Sequence, residues 1–193
     1  GSGRIPQRPV DIVVLDGSPA MVLFEKYGAV GYGDSISLVE ATGAIRWRRR
    51  LEDLFDFPVQ MNVDVSGSIW WYSTWWVDES HGCAFVVAKT ALLDEWPLRR
   101  LMRRVDLAKG EVTPGSLKDM VASVHGGPDV ARCRALDVGV DRREVGRALG
   151  VDQIAESPDE STGIRLRAVV ILARGGSGAK AKSIGKGLFD EAL

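Results

Sequence analysis

Up to about residue 114 the apolar positions come in short runs that alternate with polar ones; beyond it they recur with a helical period. "DIVVL" (Asp11–Leu15) and "MVLFEKY" (Met21–Tyr27) are rich in branched and aromatic residues and are separated by the turn signal "DGSP". "DSISLVEATGAIRW" predicts a hairpin. Ile36, Leu38 and Glu40 alternate before the turn, Ile45 and Trp47 follow it, and Gly43 stands where a short loop needs a positive φ. "SIWWYSTWWV" and "CAFVVAK" predict another hairpin around "DESHG". Strands joined in succession by short turns predict antiparallel pairing rather than a parallel crossover sheet.

After Pro114 the signals are helical. Ser116 in "SLKDMVASV" is a capping residue with Asp119 three positions on. Pro128 in "GGPDVARCRALDVGV" suits a first helical turn. Gly150 closes "DRREVGRALG" as a C-cap, and "SPDE" (Ser157–Glu160) has cap, proline and glutamate in capping-box order. "IRLRAVVILA" (Ile164–Ala173) alternates like a strand but repeats an earlier segment, which favours helix.

That repeat organises the second half. "RCRALDVGV" at Arg132 recurs as "RLRAVVILA" at Arg165, an offset of 33, and "VGRAL" at Val145 recurs as "IGKGL" at Ile184, an offset of 39. The order is kept, and over residues 128–190 the pattern resembles HEAT-type helical repeats, which are scaffold and protein-binding modules. The first half repeats too: "VEATGAIRWRRRLEDL" (Val39–Leu54) matches "VDLAKGEVTPGSLKDM" (Val105–Met120). Its stretch Glu40–Trp47 resembles the D-x-x-T-G-x-I-x-W core of quinoprotein-type β-propeller blades, with Glu40 in place of the Asp and Pro114 where the second copy would carry Trp. In such blades the Gly makes the turn and the Trp docks on the neighbouring sheet. The length leaves no room for a closed propeller beside the helices. A quinone cofactor is not expected. The segment Phe24–Trp47 is also similar to stretches of uncharacterised bacterial proteins, which implies a bacterial origin and no activity.

The expected fold is therefore α+β: an antiparallel, blade-like β-meander over residues 8–114, then HEAT-like α-hairpins over residues 115–193, packed on it. Four of the six tryptophans lie in "SIWWYSTWWVDESHG". Taken as one strand, Trp70, Tyr72, Thr74 and Trp76 share one face, and Trp71, Ser73 and Trp75 the other. A buried tryptophan removes roughly 200 Å² from water, so one face belongs to the sheet's own core. The other meets either the helical half or an outside partner. Trp70, Trp71, Tyr72, Trp75, Trp76, Asp78, Glu79 and His81 form the candidate partner-binding set, with the inter-domain seam favoured over an open surface.

Composition narrows the classes. The 193 residues are 45% hydrophobic and 26% charged with a net charge of −1, an ordinary balance for a folded domain that gives no help toward nucleic acid. The arginine runs Arg46–Arg50 and Arg99–Arg104 read as solvated faces paired with acids such as Glu52 and Asp53. No apolar run approaches the roughly 20 residues of a membrane span. Gly1-Ser2-Gly3 reads as a cloning scar, which leaves cytoplasmic and periplasmic or secreted locations open. Cys83 and Cys133 read as small hydrophobes ahead of a single bridge.

No residue set reads as catalytic, cofactor-binding or metal-binding. The G-x-x-G-x-G of "GAVGYGD" is followed by a strand and lacks the P-loop lysine, so it reads as a hairpin loop. His81 beside Asp78, Ser80 and Glu79 reads as a turn histidine; His125 falls near a helix end. Glu52, Asp53 and Asp56 read as a capped turn. The expected function is a non-catalytic bacterial protein-interaction protein of adaptor or immunity type, with another protein as partner. The alternatives are a hydrolase-like enzyme using His81 between the halves, and an envelope-associated structural protein.

Overall fold

A computed structural model describes residues 9, 11–25, 27–28, 34–55, 62–63, 69–88, 98–140 and 143–191. The glycine-rich stretch 29–33, Asp56 and the side chain of Trp70 lie outside the described set. The chain forms an α+β fold in two compact units, Gly1–Gly115 and Ser116–Leu193.

The first unit holds two four-stranded antiparallel meanders. One has the order β1 (Asp11–Val14), β2 (Ala20–Phe24), β4 (Ile36–Glu40) and β5 (Ile45–Arg49). The other runs β8 (Tyr72–Asp78), β9 (Cys83–Ala88), β10 (Met102–Asp106) and β11 (Val112–Pro114). A small sheet of three two-residue strands joins β3 (Tyr27–Gly28), which lies between β2 and β4 in sequence, to β7 (Ile69–Trp70) and β6 (Asn62–Val63). Short helices α1 (Leu51–Leu54) and α2 (Leu98–Leu101) complete the unit.

Both meanders close through a glycine turn, as the sequence repeat predicts. Gly43 N–H returns to Glu40 O at 2.8 Å, and Gly110 N–H returns to Asp106 O at 2.7 Å. Both glycines have positive φ, 85° and 69°. The second turn is one residue longer, and Asp106 Oδ1 secures it by accepting from the N–H groups of Ala108 and Lys109. An aspartate-capped helix follows each hairpin: Arg50 N–H donates to Asp53 at 2.9 Å, and Ser116 N–H donates to Asp119 at 2.8 Å. Trp47 of the first hairpin reaches the turn of the second, its Nε1 donating to Leu107 O at 2.8 Å.

The long aromatic strand is broken. β7 ends at Trp70, and a bulge between Tyr72 and Thr74 places two β8 steps against one step of β9. The extra residue flips the alternation. Tyr72 and Trp75, expected on opposite faces, therefore point the same way and donate to the same oxygen, Asp11 Oδ2, each at 3.0 Å. Trp75 also stacks on Phe24 at 4.1 Å between ring centres, and Trp71 Nε1 donates to Glu25 O at 2.6 Å. On the opposite face of the sheet, Trp76 stacks on its cross-strand neighbour Phe85 at 4.8 Å. Trp71, Tyr72, Trp75 and Trp76 are all buried.

The arginine runs behave differently from one another. Arg46, Arg48 and Arg50 pair at the surface with Glu40, Asp34 and Glu52. Arg103, expected on a solvated face, is buried. Its strand register sets it opposite Val86 on the core side, where it donates to Leu54 O and Met102 O and lies 5.0 Å over the Phe55 ring. The carbonyls of Leu54, Arg99, Arg100 and Met102 accept from its N–H groups, so its Nε and Nη1 are not left bare in the core. Cys83 and Cys133 form no disulfide; Cys83 is in the β9 core and Cys133 is half-buried.

The second unit is helical: α3 (Leu117–Gly126), α4 (Asp129–Val140), α5 (Arg143–Ala148), α6 (Val151–Glu156), α7 (Thr162–Arg174) and α8 (Gly178–Glu191). Ile164–Ala173 is helical, as the repeat implies. The matched residues play matched parts. Ala135 and Ala168 are both fully buried, and the first arginine of each copy donates through Nε to a carbonyl of an earlier helix, Arg132 to Val124 and Arg165 to Ala155. The copies differ in the helix that follows. Gly150, at φ 66°, splits the first copy's second helix into α5 and α6, whereas α8 runs unbroken over 14 residues. The "SPDE" expectation fails: Ser157 is the C-cap of α6, Ser161 is the N-cap of α7, and Glu160 pairs with Arg132.

Ser116 Oγ accepts from Asp119 N–H at 3.2 Å, closing the capping box of α3. Ser116→Ala is expected to cost about 1 kcal/mol. Thermal unfolding followed at 222 nm checks this, and an unchanged midpoint would contradict the role.

Candidate functional site

The sequence places its candidate set on the β8–β9 hairpin. Asp78 ends β8, Glu79–His81 form a 3-10 turn, and Gly82 closes it at φ 59°. Asp78 is wholly buried and gathers the turn about itself. Its Oδ1 accepts from Ser80 Oγ at 2.5 Å and from His81 N–H at 3.2 Å, and its Oδ2 lies 3.0 Å from His81 Nδ1. Glu79 reaches across to the β1–β2 turn and accepts from the N–H groups of Asp16 and Gly17 at 3.1 and 3.3 Å. The cluster thus pins two hairpin turns to each other.

A serine, a histidine and an aspartate are in mutual reach here, yet their geometry differs from a hydrolytic relay. A relay needs the carboxylate on one ring nitrogen and the nucleophile on the other. Ser80 Oγ and Asp78 Oδ2 both lie 3.0 Å from the same atom, His81 Nδ1. The serine proton is directed to Asp78 Oδ1. The arrangement caps a turn. Among the described residues no group of three His, Cys, Asp or Glu side chains is placed to hold a metal ion.

The rest of the set divides by exposure. Trp71, Tyr72, Trp75 and Trp76 are interior, with their polar edges satisfied by Glu25 and Asp11 where shown above. Glu79 is half-buried and His81 is exposed. Sequence reasoning passed over Asp11, which is the shared acceptor for the aromatic ring edges. A carboxylate opening an apolar run was the available signal, but its partners are about 60 residues away.

The helical unit has a cavity of about 220 Å³ among Arg147, Val151, Asp152, Gln153, Ile171 and Leu172. Its floor is apolar, since Val151, Ile171 and Leu172 are buried. Asp152 lies 3.7 Å from Lys180, whose ammonium pKa is raised above the ordinary lysine value, first by its hydrogen bond to Glu156. Small-molecule sites commonly measure about 300–1,000 Å³. This one is smaller and suits a single side chain. Among the described residues no helix is long and apolar enough to cross a membrane.

The outer side of α7 is the unit's other distinctive surface. The helix buries Ile164, Ala168, Ile171 and Leu172 and turns Leu166 and Val170, one turn apart, outward at 40% and 46% exposure. Searches against protein-family models, curated proteins and solved structures found no match.

Proposed function

We propose that this chain is a non-catalytic bacterial protein-interaction protein of adaptor or immunity type. The observation that carries the reading is the exposed Leu166–Val170 pair on α7. Helical residues four apart stand on one face, and two adjacent aliphatic side chains left in water offer apolar area of the kind that the buried centre of an interface carries. The turn-capping geometry at His81 supports the same reading, because it leaves the Ser80–His81–Asp78 cluster serving structure. Glu79 and His81 remain as the accessible part of the hairpin set.

The test is affinity purification of the tagged chain from its native host beside the double variant Leu166→Asp/Val170→Asp. The expected result is a stoichiometric protein partner whose recovery falls at least about tenfold in the variant, equivalent to roughly 1.4 kcal/mol. For an immunity role, co-expression with a toxin encoded next to the gene restores growth, and the double variant does not. Absence of a stoichiometric partner, or equal recovery by both chains, would refute the proposal.

A further inference from the structure

Strand β1 is the first edge of the first meander, and its backbone polarity follows from two strand registers. Leu15 N–H donates to Ala20 O, so Leu15 and Ala20 are a hydrogen-bonded pair. Antiparallel ladders alternate. Val13 therefore also bonds to β2, while the N–H and C=O groups of Ile12 and Val14 point away from it. The neighbouring ladder agrees: Glu25 N–H donates to Ser35 O, which makes Leu23 and Met21, opposite Ile12 and Val14, the residues that bond to β4. The two residues with outward backbone groups also have exposed side chains, Ile12 at 51% and Val14 at 67%.

The other edges of the two meanders carry devices that discourage pairing. β5 has Arg46, Arg48 and Arg49 and a register shift against β4. β8 has the bulge between Tyr72 and Thr74. β11 ends on Pro114, which has no N–H to offer. Lysine or arginine, bulges and proline are the usual protections of a sheet edge. β1 has none of them at its outward positions, and among the described residues it pairs only with β2.

We propose that β1 docks on β1 of a second copy of this chain, antiparallel about a two-fold axis through Val13. In that register Ile12 faces the partner's Val14 and Val14 faces the partner's Ile12, each pair exchanging both of its outward hydrogen bonds. The exposed aliphatic side chains then become cross-strand neighbours. Asp11 faces the partner's Leu15, so no like charges meet. The outcome is one continuous sheet of eight strands. An edge of this length buries far less than the roughly 1,600 Å² of a standard interface, so the dimer is weak and forms with rising concentration. This contact is independent of the partner surface on α7.

Sedimentation equilibrium of the whole chain from about 1 μM to 1 mM, the range of weak affinities, tests the proposal. The weight-average mass is expected to rise from 21.0 kDa toward twice that value. Ile12→Pro removes an outward N–H without touching the β1–β2 ladder, as edge positions allow, and Val14→Lys places a charge on the edge. Both should stay monomeric at the same concentrations while keeping the wild-type circular dichroism spectrum. Leu166→Asp/Val170→Asp should still dimerise. Hydrogen exchange should slow with concentration at the Ile12 and Val14 amides and stay unchanged at Val13. A wild-type mass fixed at 21.0 kDa, a dimer that persists in folded Val14→Lys, or exchange independent of concentration at Ile12 and Val14 would overturn it.

Discussion

Trp75→Ala is expected to destabilise the β unit by about 3–5 kcal/mol, the range for removing a large aromatic from a packed core. Trp75 is 4% exposed, stacks on Phe24 and supplies one of two donors to Asp11 Oδ2. Its loss opens a cavity between the two meanders and leaves that carboxylate with Tyr72 as its remaining donor there. Trp75→Phe separates the contributions. It keeps most of the ring contact with Phe24 and loses the indole N–H, so it should cost mainly a hydrogen bond to a charged group, roughly 1.5–3 kcal/mol. All six tryptophans precede Gly115, so tryptophan fluorescence during urea unfolding follows the unit that carries Trp75. A change below about 1 kcal/mol for Trp75→Ala, the size of an ordinary surface effect, would show that this face is not core.

Gly110→Ala is expected to cost about 2–5 kcal/mol, and Gly82→Ala only about 1–2 kcal/mol. Both glycines close hairpins with left-handed backbones, at φ 69° and 59°. Any residue with a Cβ pays the same conformational penalty at either site. The difference is space. A Cβ on Gly82 meets nothing within 4 Å, whereas one on Gly110 would lie 2.6 Å from Trp47 Cγ. Trp47 has little freedom to retreat, because it is 6% exposed and its Nε1 is bonded to Leu107 O. The extra 1–3 kcal/mol is the overpacking term. Equal urea midpoints for the two variants would disprove the close approach of the first hairpin's ring to the second hairpin's turn.

These two positions show how far the sequence carries. The repeat between Val39–Leu54 and Val105–Met120 was legible because turn glycines and an aspartate cap are local requirements. They return in the structure as the Gly43 and Gly110 turns and the Asp53 and Asp119 caps. The helical repeat was legible for a similar reason, since a buried alanine and a neighbouring arginine recur at fixed spacing and Ala135 and Ala168 are both interior. The aromatic strand was misread in its faces. Strict alternation holds only without a bulge, and the bulge at Tyr72–Thr74 arises from pairing with β9, which no local signal announces. Arg103 was misread because a charge run looks solvated until the strand register shows which members point inward.

By itself the sequence determined the α+β class, the succession of hairpins and helices, and the turn and cap residues apart from the start of α7, because each rests on the conformational preferences of a few neighbouring residues. The tertiary structure alone decided what the candidate residues do. It buried Trp71, Tyr72, Trp75 and Trp76, made Asp78 the centre of a turn, and left Ile12, Val14, Leu166 and Val170 in water. Which side chains share a face, which carbonyl meets which guanidinium, and which strand remains an edge all depend on register and on partners dozens of residues away, so no short window of sequence contains them.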